Sequence, residues 1–359
     1  MRSRFILAFG IVAFGAATRA ASAQSPPVER FGLETTVSID QFAGDAAIAR
    51  PNIVIDLIAS VRLGREWQIY VRPWFRQPRT PSWDSQLYQA AVRYEHQGRV
   101  ATRVEAGLID SAVGLGMADS SPGTNPTISP HLSYFTPMLP FDTGGPRVSA
   151  IASTYPAGTR VTLSTNVWDV RGAVVSSNPT RIDLVGGTAN PRRTPVIEGG
   201  AGITPTIGLR LGLSFAHGAY LTSSELRPPP HTGDRQMTMA GVEGEYAVGY
   251  TKISGELLRD AFETTGDSAI AYEWFVEGMQ TLSPRWFAAA RHEGTSAPVR
   301  GNGAFYQSQP TLKIVEATAG YRVTPDVTLR ASYFTREFYG RTTWDQQIGV
   351  QAVWTRKWQ

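Results

Sequence analysis

From Phe31 onward, apolar and polar residues alternate with a period of two, and sustained helical periodicity is scarce. Successive side chains of a strand point to opposite faces, so this pattern predicts strands with one apolar and one polar side. In the first segment, 31–42, Phe31, Leu33, Val37 and Ile39 share one face and Glu34, Thr36, Ser38 and Asp40 the other. Fifteen further segments follow: 52–63, 66–76, 86–95, 100–109, 147–155, 160–169, about 194–203, 209–220, 237–248, 252–260, 270–280, 286–293, 312–321, 327–336 and 346–358.

The connections alternate short and long in one phase. Tight turns at 63–65, 96–98, 156–158, 204–206, 249–250, 282–284 and 324–326 each carry Gly or Pro, which supply positive φ or a fixed φ. Eight longer, polar, Gly/Pro-rich loops lie between them, and both chain ends fall on the short-turn side. This predicts an all-β, up-and-down antiparallel meander of about sixteen strands. Fourteen or eighteen stay open, because 171–193 has room for another hairpin.

Alternation alone does not separate a soluble sandwich from a transmembrane barrel. Three features favour the barrel. The 336 residues after position 23 give about 21 per strand, enough for a membrane strand of about 9–11 residues plus its share of turn and loop. The turn lengths are asymmetric, as in outer-membrane barrels. Aromatics sit at strand ends on the apolar parity, at Trp67, Tyr94, Trp286, Tyr321, Tyr333 and Trp354, as a girdle at the lipid headgroups requires. The polar parity carries Arg62, Arg72, Arg93, Arg103, Arg210, Arg291, Arg330 and Glu105, among other charges. So many charges predict a water-filled lumen, and sixteen strands enclose one wide enough.

Residues 1–23 read as a cleaved export signal. Arg2 and Arg4 precede an apolar run from Phe5 to Ala17, and Ala21-Ser22-Ala23 offers a cleavage site before Gln24. Cleavage removes three arginines and no acid, which leaves 31 basic residues against 30 acidic ones. The pI of about 9.4 therefore says little about the mature chain, and no nucleic-acid partner is expected. The barrel domain is 24–359. No later apolar run is long enough for a membrane helix.

The longest connection, 110–146, contains eleven Gly or Pro residues but also Leu115, Met117, Leu132, Tyr134, Phe135, Met138, Leu139 and Phe141. These need a surface to pack on. The signal, the strand count, this loop after the fifth strand and the closing aromatic-rich strand 347–354 together resemble the Gram-negative general porin family, including its phosphate-selective relatives. The resemblance covers the whole mature chain. It implies that 110–146 is a third outer loop folded into the lumen as a constriction, that homotrimers form, and that the last strand is read by the barrel-assembly machinery. The chain departs from the family in ending on Gln359 after Trp358. It also has only three lysines, Lys252, Lys313 and Lys357, which sets it apart from a lysine-rich phosphate channel.

The resulting expectation is a porin in the outer membrane of a Gram-negative bacterium, surrounded by lipid and passing small hydrophilic solutes or ions by diffusion. Asp110, Asp119 and Asp142 of the loop are expected to face Arg62, Arg72, Arg93 and Arg103, so that a transverse field sorts solutes. The inward arginines suggest a slight anion preference. A substrate-specific channel with a saturable lumen site, or a secreted soluble β-protein, also fits the pattern. No Gly-x-Ser-x-Gly or His-Glu-x-x-His motif and no cysteine is present, so neither catalysis nor a cofactor is expected. The run Gly199-Gly200-Ala201-Gly202 lies within a strand and suggests close strand contact or a subunit interface.

Overall fold

The structure is a computed structural model that describes residues 31–45, 50–78, 82–115, 121–134, 138–145, 147–151, 155–181, 194–226, 233–264, 266, 268–300, 306–307, 310–341 and 343–358. The expected signal, Asp119, Met117, Phe135 and Gln359 lie outside them. The strands are β1 (Phe31–Gly44), β2 (Asn52–Leu63), β3 (Trp67–Gln77), β4 (Asp84–His96), β5 (Ala101–Leu108), β6 (Ala157–Ser164), β7 (Trp168–Val175), β8 (Val196–Thr206), β9 (Leu209–Leu221), β10 (Arg235–Val248), β11 (Thr251–Phe262), β12 (Ala269–Thr281), β13 (Trp286–Ser296), β14 (Val299–Arg300), β15 (Tyr306–Gln307), β16 (Thr311–Arg322), β17 (Val327–Glu337) and β18 (Trp344–Trp358).

Sixteen of these join in chain order into one closed antiparallel barrel, and β1 pairs with β18 from Leu33↔Trp358 to Gly44↔Gln347. The pair β14–β15 is a separate small hairpin in the connection from β13 to β16. No strand of the barrel has a free edge, which satisfies the backbone without water.

Burial runs opposite to that of a soluble protein. Ile348, Leu213 and Val350 on the outer parity are more than half exposed, whereas Glu105 and Glu316 on the inner parity are fully buried. An apolar exterior over a polar interior is what a barrel in lipid requires. Trp67 stacks near Tyr94 with centroids 5.1 Å apart, Trp286 near Tyr321 at 4.7 Å, and Trp354 near Trp358 at 6.3 Å. All six sit at the short-turn rim. Tyr333, expected at a strand end, instead lies within β17, opposite Ile348 and Ala317, because β17 runs on to Glu337.

The count of sixteen holds, but two of the sequence assignments compensate for each other. Segment 147–155 is not a wall strand. Val148, Ser149, Ala150 and Ile151 are all buried on both parities, because this piece lies inside the lumen; it only bridges Met138 and Arg181. The expected turn at 156–158 is instead the start of β6. The real turn is at 165–167, which has neither Gly nor Pro; the Thr165 hydroxyl accepts from the amides of Val167 and Trp168 at 3.1 Å each. The segment 160–169 thus splits between β6 and β7, and the loop from β5 extends to the start of β6, ten residues beyond Pro146.

Candidate functional site: a loop pinned across the lumen

The connection from β5 to β6 enters the barrel and crosses it. Its first part lies against the wall of β7–β11. The Ser111 hydroxyl and the Ala112 amide donate to Glu198 at 2.9 and 2.7 Å, and Arg171 donates to the Ala112 carbonyl at 2.6 Å. Leu115 donates its amide to Glu256, and the Tyr134 hydroxyl donates to the other oxygen of that carboxylate at 2.9 Å. Gly114, at φ 76°, makes this approach: a Cβ there would overlap the Tyr134 hydroxyl and the Glu256 carboxylate.

The middle of the loop reaches the opposite wall. Ile128 donates to Glu316 at 2.9 Å, and the amide and hydroxyl of Ser129 donate to the same carboxylate. Leu132 donates to Glu293 at 2.9 Å. Arg291 donates to the Ser129 carbonyl at 2.6 Å, and Arg330 to the Pro122 carbonyl at 3.0 Å. Gly123 lies against Thr36 and Thr355 of β1 and β18. Farther on, Arg235 donates to the Thr143 carbonyl at 2.8 Å. Wall carboxylates thus take loop amides, and wall arginines take loop carbonyls. Many inward charges are therefore buried under the loop rather than hydrated, a correction to the simple water-filled interior.

The loop's apolar residues find their surface on the loop-side half of the inner wall. Val113, Tyr134, Leu139, Phe141, Val148 and Ile151 join Tyr220, Met237, Met239, Leu258 and Phe262 in one buried cluster. Phe141 and Phe262 have ring centroids 5.2 Å apart.

By strand register, all eight inward candidates share the lumen parity. Arg72 makes a bidentate pair with Asp56 at 2.7 and 2.9 Å. Arg93 donates to Glu105 at 2.8 Å, and Arg160 binds both Glu105 and Asp110, at 2.6 and 2.9 Å. Arg210 joins Asp169 and Glu243. Arg291 is enclosed by Glu277, Glu293 and Glu316 at 3.2–3.5 Å. Arg330 holds the loop and Gln351. Arg103 pairs with Glu95 at 2.8 Å near the short-turn mouth, where exposed Arg62 makes no ion pair among the described residues. Asp110 meets Arg160 and Gln89, and exposed Asp142 accepts from Gly144 in its own turn. The expected confrontation of Arg72, Arg93 and Arg103 with Asp142 is not formed. Carboxylates placed beside these arginines on the same wall have already taken them.

The Gly-rich run of β8 also has an inward purpose. A Cβ at Gly200 would lie 2.9 Å from the Arg171 guanidinium, and one at Gly202 2.6 Å from that of Arg210. The missing side chains make room for the two arginines that clasp Glu243.

Among the described residues the loop leaves a sector beside it unfilled. A cavity of about 270 Å³ lies between loop residues 122–132 and the wall of β1–β3 and β16–β18. Asp40, Asn52, Arg76, Arg336, Gln347 and Gln351 bring polar atoms to it, and Phe42, Trp74 and Phe334 give it apolar surface. These residues were not singled out in the sequence. Their inward parity was visible, but the sector that the loop leaves open depends on where it is pinned.

No protein-family model and no curated protein sequence matches the chain. Among solved structures, a loop L8 deletion form of OmpT, an outer membrane protein of Vibrio cholerae, is similar at 11% identity over 91% of this chain and 99% of that one, with a TM-score of 0.59. A trimer form of OmpT reaches a TM-score of 0.54 at 11% identity, covering 91% of this chain and 98% of that one. OmpF of Salmonella typhi in complex with daunomycin reaches 0.60 at 10% identity, over 91% and 97%. At such identities the likeness establishes a shared architecture, that of outer-membrane β-barrels.

Proposed function

We propose that the chain is an outer-membrane porin that passes small hydrophilic solutes or ions by diffusion. The observation that carries this is the pinned loop: it crosses a closed, lipid-compatible barrel and leaves a gap lined by polar and aromatic side chains along β1–β3 and β16–β18. A loop held by this many buried charge-assisted bonds sets a fixed aperture rather than a loose lid. Passage through it needs no catalytic group, and the proposed role is non-enzymatic. Export on the 1–23 signal, insertion into the outer membrane of a Gram-negative bacterium and assembly as a homotrimer belong to the same proposal. The trimer is supported by the trimeric form of a structural neighbour.

The test is planar-bilayer recording of detergent-purified protein. Stepwise conductance increments, with liposome swelling that falls off steeply as solute size increases, are expected. A barrel that is folded by its heat-modifiable gel migration yet conducts nothing would refute the channel. A slight anion preference is read from the reversal potential in a KCl gradient.

A further inference from the structure

The lumen arginines divide into two groups. Arg72, Arg93, Arg160, Arg210 and Arg291 each hold a carboxylate. Arg76 holds none. Its one hydrogen bond among the described residues runs from Nε to the Asn52 side-chain oxygen at 2.8 Å, and Asn52 in turn donates to Asp40 at 2.8 Å. That leaves both terminal nitrogens of Arg76, four N–H donors in a planar fork, without an acceptor at the edge of the cavity. An Asn that fixes Nε orients this fork without using its charge.

The rest of the cavity is built to match. Arg336 lines it too, with its guanidinium 4.0 Å from the centroid of the Phe338 ring and 3.8 Å from the Asp345 carboxylate, so the cation left for an incoming anion is Arg76. Phe42 and Phe334 pack edge to face at 6.1 Å, and Trp74 adds a third aromatic surface. The volume, about 270 Å³, is close to the lower end of ligand pockets, roughly 300 Å³. A bare halide would use the charge and waste the apolar wall; an uncharged ring would do the reverse.

We infer that this cavity is a saturable binding site for small organic carboxylates that carry an apolar body, with the carboxylate forked by Arg76 and the body against Phe42, Phe334 and Trp74. The inference deepens the channel proposal, because it names the solute class of the same gap. It also rests on that proposal for its physiological meaning, although the binding itself is measured separately.

The experiment uses the full chain in a non-ionic detergent, with benzoate as probe. Isothermal titration should show saturable one-site binding of benzoate. Acetate, which has the charge without the ring, and benzyl alcohol, which has the ring without the charge, should each bind at least about tenfold more weakly. Arg76→Gln should weaken benzoate by about ten- to a hundredfold, the range of one lost charge-assisted contact. Arg76→Lys, which keeps the charge and loses the fork, should fall between. Arg322→Gln, at the short-turn mouth, should change nothing. Heat-modifiable migration confirms that each variant is folded. Equal binding of benzoate and acetate, or a folded Arg76→Gln barrel that binds benzoate as the wild type does, overturns the inference. In bilayers the same variants report on the channel: benzoate should reduce KCl current saturably in the wild type and less in Arg76→Gln. Binding without conductance would defeat the porin proposal and leave the carboxylate site standing. Conductance without benzoate binding would do the opposite.

Discussion

Replacing Glu316 by glutamine tests whether the loop is held by charge. The carboxylate is fully buried and accepts from the Ile128 amide at 2.9 Å, from the amide and hydroxyl of Ser129, and from Arg291 at 3.5 Å. Glutamine keeps the shape and one acceptor oxygen. It converts the bond from Ile128 to a neutral one and turns an NH₂ toward the Arg291 guanidinium, which cannot accept from it. Charge-assisted bonds are worth about 1.5–3 kcal/mol and neutral ones about 0.5–1.5, so each of the affected contacts loses about 1 kcal/mol. Two or three such losses amount to about 2–3 kcal/mol, roughly a thirty- to hundredfold shift toward a displaced loop. Arg291 keeps Glu277 and Glu293, so the wall survives. Single-channel records of Glu316→Gln should show excursions to a larger conductance that are rare in the wild type. Trypsin should cut faster after Arg147, which is exposed but is followed by the buried Val148 and Ser149. A variant with wild-type current noise and wild-type cleavage would refute the electrostatic clamp.

Asp56→Ala leaves Arg72 buried without its bidentate partner and should cost about 3–5 kcal/mol, read as a lower unfolding midpoint in urea. Gly200→Leu should push the Arg171 guanidinium off Glu243, seen as a smaller loss on adding Arg171→Gln to it than to the wild type in a double-mutant cycle. Val350→Arg places a cation on the lipid face near the middle of β18 and should destabilise the inserted barrel by about 2–4 kcal/mol, with little effect in the folded detergent complex's pore. Between the outer loops, burial pushes Glu225 up, but the Arg181 guanidinium at 2.8 Å and the Thr222 amide outweigh it and hold the carboxyl below its ordinary range. Because the folded value is the lower one, this clasp stabilises the loops fully above the ordinary glutamate range and is lost as pH falls through the depressed value; hydrogen exchange of residues 222–226 should rise in acid, and Glu225→Gln should remove that dependence.

The wall was legible because each residue's face follows from parity alone. Lipid selects the outer residues and charge the inner ones, so β1–β5, β9–β13 and β16–β18 could be placed from alternation and turn chemistry. The misplacement around 147–175 has a physical origin. Residues 147–151 alternate moderately, yet they are buried on both sides by the loop's own entry into the barrel, and the Thr165 turn uses a hydroxyl where Gly or Pro was the signal. The site was less legible. Arg72 and Arg93 could be seen to point inward, but whether an inward arginine meets water, a carboxylate or a loop carbonyl depends on cross-strand register. Asp56 lies near Arg72, and Glu105 lies directly opposite Arg93, only once β2–β3 and β4–β5 are aligned. Arg76 stands out only by contrast, after every other partner has been assigned.

The two strands that meet last also border the gap. β1 and β18 are its central staves, and their pairing lays Leu33–Gly44 onto Gln347–Trp358. The closing strand must therefore be made before the barrel shuts: a chain stalled short of residue 344 has neither a closed cylinder nor a defined hole. On the proposed porin function, fragments that lack β18 make no leak, since the aperture and the shut wall depend on the same zipper.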